Sequence, residues 1–222
     1  VEHGFSGVFG SAAGSIACFW IACVAYDRHV LGDNWKELSP QLAADLSRLV
    51  GAEDLNSDVA ATVLCSRLRF LASADPAWVQ GQLLPCLSDS GRRSTLAWSG
   101  FLQGDVWSTQ LIDLGLIERY LNLLKHLDVV EKDSDRLAEH LSWLICVGPE
   151  APEPLAAQLI SAAPLSFREK WAETMVSVLS ELTPQDRDNQ WSRWIKRYWA
   201  ERLASRPRSL DRTEAGAMFG WA

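Results

Sequence analysis

The chain has 222 residues, of which 21 are Lys or Arg and 28 are Asp or Glu, so its formal net charge is −7 at pH 7. Apolar residues make up 48% and charged residues 22%. This composition excludes a long disordered segment, a collagen-like repeat and a polybasic tail. The length suits one large domain or two small ones. Because the chain begins with Val1 and stops in mid-pattern at Ala222, we expect a fragment of a larger protein.

The choice of apolar residues favours helices. The chain contains 31 Leu and 26 Ala, against 14 Val, 7 Ile and 6 Thr. Unbranched side chains keep their rotamer freedom in a helix, whereas β-branched side chains lose it. The 11 Trp residues can each bury a large area, provided that the indole N–H finds a partner. The composition therefore predicts an all-α fold.

The segment Gly4–Tyr26 has no charged residue and, at 23 residues, is long enough to span a bilayer. Its strongly apolar part, Ile16–Tyr26, has only 11 residues, which fits a buried core helix better. No basic segment leads into it, so it does not resemble a signal peptide. We therefore expect no membrane span and a cytoplasmic location. The pair Gly10-x-x-x-Gly14 predicts a close approach between two helices.

The cysteines have neither the number nor the spacing of a disulfide or zinc framework. There are five, none forms a C-x-x-C pair, and all lie among apolar residues. Free Cys behaves as a small hydrophobe, so we expect buried, reduced thiols and no bound metal. They are Cys18, Cys23, Cys65, Cys86 and Cys146.

Several sequence signals mark the starts of helices. Ser39-Pro40, Asp75-Pro76 and Thr183-Pro184 each place a capping side chain before a proline, which has no N–H to leave unpaired in the first turn. Two capping boxes are predicted as well, at Ser166-x-x-Glu169 and at Asp211-x-x-Glu214.

Apolar residues between these signals recur at helical spacing, as in Leu137, Leu141, Leu144 and Ile145. The predicted helices are 11–30, 40–50, 58–73, 76–88, 93–103, 109–127, 134–147, 153–162, 167–182, 184–204 and 212–221. Helices joined by short loops pack as antiparallel hairpins, and stacked hairpins form an α-solenoid. No fixed repeat period is present. We therefore predict an irregular HEAT-like α-solenoid, with an irregular helical bundle as the alternative.

The proline-rich stretch 149–154 is the best candidate for a linker, because proline stiffens the chain and discourages helix. In the predicted organisation, residues 1–222 form a single helical domain and this stretch is a long turn within it. A subdivision into a helical array over 1–148 and a C-terminal helical unit over 155–222 is the alternative.

The segment 187–212 is the most informative part of the chain for function. It carries a net charge of +5, which leaves −12 on the remainder, and aromatic residues interleave with its cations. Basic groups next to stackable rings can bind single-stranded nucleic acid. The cations are Arg187, Arg193, Lys196, Arg197, Arg202, Arg206, Arg208 and Arg212.

The same aromatic residues also fit a buried helix face within 184–204. Six apolar residues share one wide face, and such a face usually lies in the core with Arg stems over the rings. The acidic remainder of the chain would repel a phosphate backbone and suits a protein partner with basic groups. The six are Trp191, Trp194, Ile195, Tyr198, Trp199 and Leu203. The predicted partner-binding residues are Arg193, Trp194, Lys196, Arg197 and Arg202.

No catalytic or cofactor motif is recognisable. The glycines Gly4, Gly7, Gly10 and Gly14 match neither G-x-G-x-x-G nor the P-loop, and no G-x-S-x-G elbow occurs. His140 and Cys146 lie six positions apart and so face different sides of their helix, and His140 is expected at the surface. No two histidines have metal-ligand spacing among His3, His29, His126 and His140. We expect no enzyme activity, no cofactor and no metal in this chain.

The C-terminal pattern Tyr198-Trp199-x-x-Arg202-Leu203, Arg206-Pro207, Glu214, Met218 and Trp221 resembles a helical domain at the C-terminus of large bacterial sirtuin-like and related anti-phage defence proteins. Upstream, Asp75-Pro76-x-Trp78, Leu83-Leu84-Pro85 and Ala97-Trp98-x-Gly100 are similar to the same domain. The resemblance covers the chain from about residue 60 onward. It implies that a separate N-terminal domain consumes NAD and that the helical region senses or binds a phage component.

These observations predict a non-catalytic helical interaction or sensor domain of a larger bacterial defence-type protein, which binds a protein partner. That partner is either another domain of the parent chain or a phage or host protein. The alternative is a nucleic-acid-binding module that uses the basic-aromatic helix 184–204.

Overall fold

The structure is a computed structural model that describes residues 5–88, 91–149 and 151–221, and the side chains of Phe5 and Ser6 are not among the described parts. The residues considered above that lie outside these ranges are Val1, His3, Gly4, Glu150 and Ala222. Within them every regular element is helical and no strand occurs, so the all-α prediction is confirmed. In the same ranges, no helix combines the length and the apolar character that crossing a membrane requires.

The first half of the chain consists of short and medium helices. A short 3₁₀ segment (Gly32–Asn34) follows α2, and α6 continues through a π-helical turn (Val79–Leu83) into a 3₁₀ segment (Leu84–Leu87). The helices are α1 (Phe5–Phe9), α2 (Ala12–Leu31), α3 (Pro40–Gly51), α4 (Leu55–Cys65), α5 (Leu68–Ala74), α6 (Pro76–Trp78), α7 (Arg92–Gly104), α8 (Thr109–Asp113) and α9 (Leu116–Leu123).

The second half begins with a 3₁₀ segment (Leu127–Asp133) and ends with another (Phe219–Trp221). Helices α13 and α14 are joined by a π-helical turn (Trp191–Ile195) and form one continuous rod. The helices are α10 (Ser134–Val147), α11 (Pro152–Ala162), α12 (Leu165–Glu181), α13 (Pro184–Gln190), α14 (Lys196–Leu203) and α15 (Arg212–Met218).

The chain divides into two compact units. The first contains residues 1–119 and 128–130, and the second contains residues 120–127 and 131–222. The division therefore falls within α9 and not at the proline-rich stretch. Pro152 and Pro154 lie in the first turn of α11, where backbone N–H groups have no intrahelical partner, and α11 packs against α10. Most of the described part of this stretch is therefore the start of α11, inside the second unit.

The three Xaa-Pro helix starts are confirmed by their hydrogen bonds. In each case the capping side chain accepts a bond from the backbone N–H three residues later. The bonds are Leu42 N–H to Ser39 Oγ at 3.3 Å, Trp78 N–H to Asp75 Oδ1 at 2.9 Å, and Asp186 N–H to Thr183 Oγ1 at 3.2 Å.

Neither predicted capping box forms. Helix α12 begins at Leu165 after Pro164, so Ser166 lies inside the helix and the prediction of a cap there is wrong. Asp211 does cap α15 by accepting a hydrogen bond from the Thr213 N–H at 2.8 Å. The Glu214 side chain turns into the core instead of reaching back to the cap, because a buried arginine binds it there.

Two predicted helices are interrupted. The predicted helix 58–73 breaks at Ser66 and Arg67, and the predicted helix 109–127 breaks at Leu114 and Gly115. Gly115 has φ +88°, a left-handed conformation that glycine adopts without steric cost and that ends α8. Periodicity did not reveal the breaks because both halves of each interrupted helix send apolar residues into the core.

Helix α4 forms the centre of the first unit and packs against α2, α3 and α7. A Cβ on Gly100 of α7 would lie 2.2 Å from the carbonyl oxygen of Thr62, so glycine permits this close approach of the two backbones. The predicted close approach at Gly14 occurs against α1, where a Cβ would lie 2.1 Å from the Val8 carbonyl oxygen. Gly10 makes no comparable approach.

The cysteines are all free thiols, three of them buried and two half-buried. Burial raises the pKa of the Cys65 thiol well above its usual value and that of Cys146 to about 12.

At pH 8 we therefore expect a thiol reagent to label Cys18 in the folded chain while Cys65, Cys86 and Cys146 stay unlabelled until the chain is unfolded. Peptide mapping by mass spectrometry checks this, and labelling of Cys65 as fast as Cys18 would contradict the burial.

An aromatic cluster fills the core of the second unit, built from Trp171, Trp194, Tyr198 and Trp221. The ring of Trp221 lies 5.5 Å from that of Trp171 and is stacked on Tyr198 at 5.7 Å with an interplanar angle of 19°. Trp194 meets Tyr198 edge-on at 5.6 Å. These contacts join α12, the α13–α14 rod and the C-terminal 3₁₀ segment around one apolar centre.

Candidate functional site

The predicted helix 184–204 is the continuous rod of α13, the π turn and α14. A relay of hydrogen bonds attaches the middle of this rod to α10. The Trp194 indole N–H donates to Gln190 Oε1 at 2.8 Å, and Gln190 Nε2 donates to the Cys146 carbonyl oxygen at 2.9 Å. Because all three groups are buried, these bonds fix the rotation of the rod about its axis.

The aromatic face of the rod lies in the core. Trp194 is fully buried and Tyr198 nearly so, and burial raises the pKa of the Tyr198 hydroxyl. Trp191 and Trp199 are half-buried and contact each other, with ring centroids 6.3 Å apart. Leu203 departs from the prediction because its side chain is 68% exposed. Trp194 therefore cannot act as a surface partner-binding residue, and that prediction is wrong.

The prediction that Arg202 binds a partner is also wrong, because its side chain is fully buried. Its guanidinium donates to Glu214 Oε1 from Nη2 at 2.7 Å and from Nε at 3.1 Å. Arg168 lies on the other side of Glu214, with its Nη1 3.5 Å from Oε2. The three residues form a buried ion cluster that joins α12, α14 and α15.

Arg202 also holds the loop that follows α14. It donates to the carbonyl oxygens of Arg206 at 3.2 Å, Arg208 at 2.6 Å and Ser209 at 3.4 Å. The loop begins at Ser205, whose φ of +59° is the left-handed conformation of a helix C-terminal cap. One buried side chain thus sets the path of residues 206–209. No sequence motif indicated this role, although Arg202 lies four positions after Tyr198 and so falls on the buried face of the rod.

Three of the five predicted partner-binding residues are exposed: Arg193, Lys196 and Arg197. They occupy positions i, i+3 and i+4 on the rod, so their side chains share one outer face. Among the described residues none of them forms an ion pair. We call these three residues the basic patch.

A surface groove of about 460 Å³ lies next to the basic patch, within the second unit. Arg197 belongs to both, and the ion pair between Arg206 and Glu201, 2.8 Å long, lines the groove near Pro207. The opposite wall is the first turn of α11, with Glu153 and Pro154. The groove thus combines apolar walls with charges of both signs, a combination that suits a polypeptide segment better than a single small ion.

Binding of nucleic-acid bases needs cations and free aromatic rings side by side, and the rod does not present them together on its surface. Cations are exposed on the rod, but the rings of Trp194 and Tyr198 are buried and those of Trp191 and Trp199 pack on each other. Stacking of bases requires a free ring face. The exposed groups are therefore suited to attract an anionic partner electrostatically, without aromatic stacking.

His140 and Cys146 do not form a reactive pair. His140 is buried, contrary to the expectation that it lies at the surface, and its Nδ1 is hydrogen-bonded to the Tyr120 hydroxyl at 2.9 Å. The raised pKa of Cys146 keeps its thiol protonated at neutral pH. Within the described ranges, no three His, Cys, Asp or Glu side chains come together as a metal site.

Comparisons of this chain with protein-family models, with curated proteins and with solved structures return no match.

Proposed function

We propose that the chain is a non-catalytic helical protein-binding domain of a larger cytoplasmic defence-type protein, in which it acts as a sensor or scaffold region. The helices would form an irregular HEAT-like array, an architecture that offers extended binding surfaces without a catalytic pocket. The resemblance of the Trp-, Pro- and Leu-containing motifs to the defence-protein domain supports the cellular context.

The observation that carries this proposal is the basic patch beside the groove. The patch lies on a rod whose opposite face is anchored by Trp194, Gln190 and Arg202, so its cations are presented by a rigid support. Within the described ranges Arg193, Lys196 and Arg197 form no ion pair, although the chain as a whole is acidic. The chemistry of the patch fits an acidic segment of a protein partner, which would lie along the groove.

Binding can be tested with two fluorescently labelled anionic probes, a Glu-rich peptide and an oligothymidine strand, titrated at low and at physiological salt. We expect the peptide to bind, and the triple variant Arg193→Glu, Lys196→Glu, Arg197→Glu to weaken this binding at least about tenfold because attraction becomes repulsion. A matched control with the same change in net charge is Lys36→Glu, Lys125→Glu, Arg212→Glu, at three exposed positions outside the patch.

Equal peptide binding by the patch variant and the control variant would refute the proposed site. If the oligothymidine strand binds more tightly than the peptide and loses affinity steeply with salt, the chain is a nucleic-acid-binding module instead. In cells that carry the full-length parent gene, we expect the patch variant to lose protection against phage while the control variant keeps it, measured as the efficiency of plaque formation.

A further inference from the structure

Helix α2, in the first unit, presents a row of apolar side chains to solvent. Its inner face buries Gly14, Ala17 and Val24, and α4 is the main element that it packs against. The outer row, here called the α2 stripe, consists of Ala12, Ile16, Phe19, Cys23, Tyr26 and Val30. Phe19 is 60% exposed, Tyr26 67% and Val30 61%, which is unusual for large apolar side chains.

The spacing of the α2 stripe is regular. Successive members are separated by four, three, four, three and four positions, the a/d pattern of a helix that packs along its length against another helix. Such a row forms a straight seam at a crossing angle of about +20°. The apolar run Ile16–Tyr26 predicts a core helix, but only one side of α2 is in the core.

The exposed area is large enough for a stable interface. The five largest side chains, the four large members of the stripe and the neighbouring Leu31, expose roughly 500 Å², taking about 150–250 Å² for each full side chain. Pairing two such rows would remove roughly 1,000 Å² from water through these side chains alone, before flanking residues bring the total toward the ~1,600 Å² of a standard interface. An apolar patch of this size matches the largest patch of a typical monomer, about 300–600 Å², and such patches are often functional.

We propose that the α2 stripe binds the α2 stripe of a second copy of this chain in an antiparallel, two-fold symmetric dimer. The antiparallel order pairs Ala12 with Val30, Ile16 with Tyr26, and Phe19 with Cys23, so that each of the two rings, Phe19 and Tyr26, faces a smaller side chain and never its own copy. A parallel order would place Phe19 against Phe19 and Ala12 against Ala12, which makes the seam alternately too wide and too narrow to pack.

The charge distribution favours a second copy over a lipid surface. The stripe itself is uncharged, so the net charge of −7 places no like charges within the seam. Arg28, the only Lys or Arg on α2, turns toward α5, donating to Ser73 Oγ at 2.7 Å and lying 6.0 Å from the Phe70 ring. Helices that lie on membranes carry exposed Lys and Arg, which attract anionic lipid, and α2 lacks them.

Sedimentation equilibrium at micromolar concentrations tests the proposal. We expect the chain of 24.7 kDa to sediment with twice that mass, and the variant Phe19→Glu, Tyr26→Glu to sediment as a monomer with unchanged far-ultraviolet circular dichroism. The control Leu203→Glu changes an equally exposed apolar residue of the second unit and should stay dimeric. A monomeric wild-type chain, or a dimer that persists in the double variant, would overturn the proposal.

Oxidative cross-linking tests the antiparallel order. In a Cys18→Ser background, the added substitution Phe19→Cys places a new thiol opposite Cys23 of the second copy, so a disulfide-linked dimer should form on oxidation. Without Phe19→Cys, the Cys23 thiols lie apart and should not cross-link. Efficient cross-linking through Cys23 alone would overturn the antiparallel order. Flotation of a monomeric chain with phosphatidylcholine vesicles, abolished by Phe19→Glu, would assign the stripe to lipid and overturn the dimer.

Discussion

Replacing Arg202 by Met is expected to lower the free energy of unfolding by about 3–5 kcal/mol, because it leaves the buried Glu214 carboxylate with an incomplete set of partners. Urea denaturation monitored by circular dichroism measures this loss. The same substitution at Arg197, five residues earlier and exposed, should change stability by no more than about 0.5 kcal/mol. An Arg202→Met variant as stable as Arg197→Met would contradict the buried ion cluster.

A double-mutant cycle separates the contribution of the pair from that of each residue. The double variant Arg202→Met, Glu214→Leu removes both charges of the direct pair, so its cost should be smaller than the sum of the two single costs. The stability of the double variant should still be lower than that of the unmodified chain, because Arg168 then loses the carboxylate that it faces at 3.5 Å.

The single variant Arg202→Met also removes the hydrogen bonds to the carbonyl oxygens of the loop 206–209. Although its basic patch is intact, we therefore expect this variant to bind the Glu-rich peptide in the groove more weakly.

Replacing Trp221 by Ala is expected to cost about 3–5 kcal/mol, although the residue is close to the C-terminal end of the described chain. Its ring is buried against Trp171, Trp194 and Tyr198, and its indole N–H donates to the Ala172 carbonyl oxygen at 2.8 Å. The substitution opens a cavity at the centre of the aromatic cluster. Near-ultraviolet circular dichroism should lose the part of its Trp signal that comes from this cluster, together with the loss of stability.

Phe219→Ala provides the matched control for this prediction. Phe219 lies two residues before Trp221 and is 73% exposed. Among the described residues, the one aromatic ring that it contacts is that of the half-buried Trp199, with ring centroids 5.4 Å apart. Its removal should cost less than about 1.5 kcal/mol. If the Trp221→Ala and Phe219→Ala variants unfold at the same urea concentration, the contacts of Trp221 with the aromatic cluster do not stabilise the second unit.

Composition and periodicity determined the secondary structure of this protein. The abundance of Leu and Ala and the recurrence of apolar residues every three to four positions predicted helices that the structure contains, because both features act within a single segment. The Ser39, Asp75 and Thr183 caps were equally predictable, since an N-cap bond joins residues only three apart. Ser166 failed as a cap because the helix begins at Leu165, two residues before the predicted start at residue 167.

Part of the candidate site could also be predicted. The basic segment was identified, and three of its cations, Arg193, Lys196 and Arg197, are exposed on one face. The assignments of Trp194 and Arg202 failed because both side chains are buried. Helical spacing had already placed Trp194 on a face that usually lies in the core, whereas Arg202 is buried because Glu214, twelve residues later, folds back onto it.

The amino-acid sequence by itself thus determined that this chain is helical and where most helices begin. Only the tertiary structure decided which residues of those helices meet solvent, since that depends on partners far away in the chain: Ala172 for Trp221, Glu214 for Arg202, and α4 for the inner face of α2. The basic patch and the α2 stripe became visible as surfaces only once those long-range contacts had occupied the opposite side of each helix.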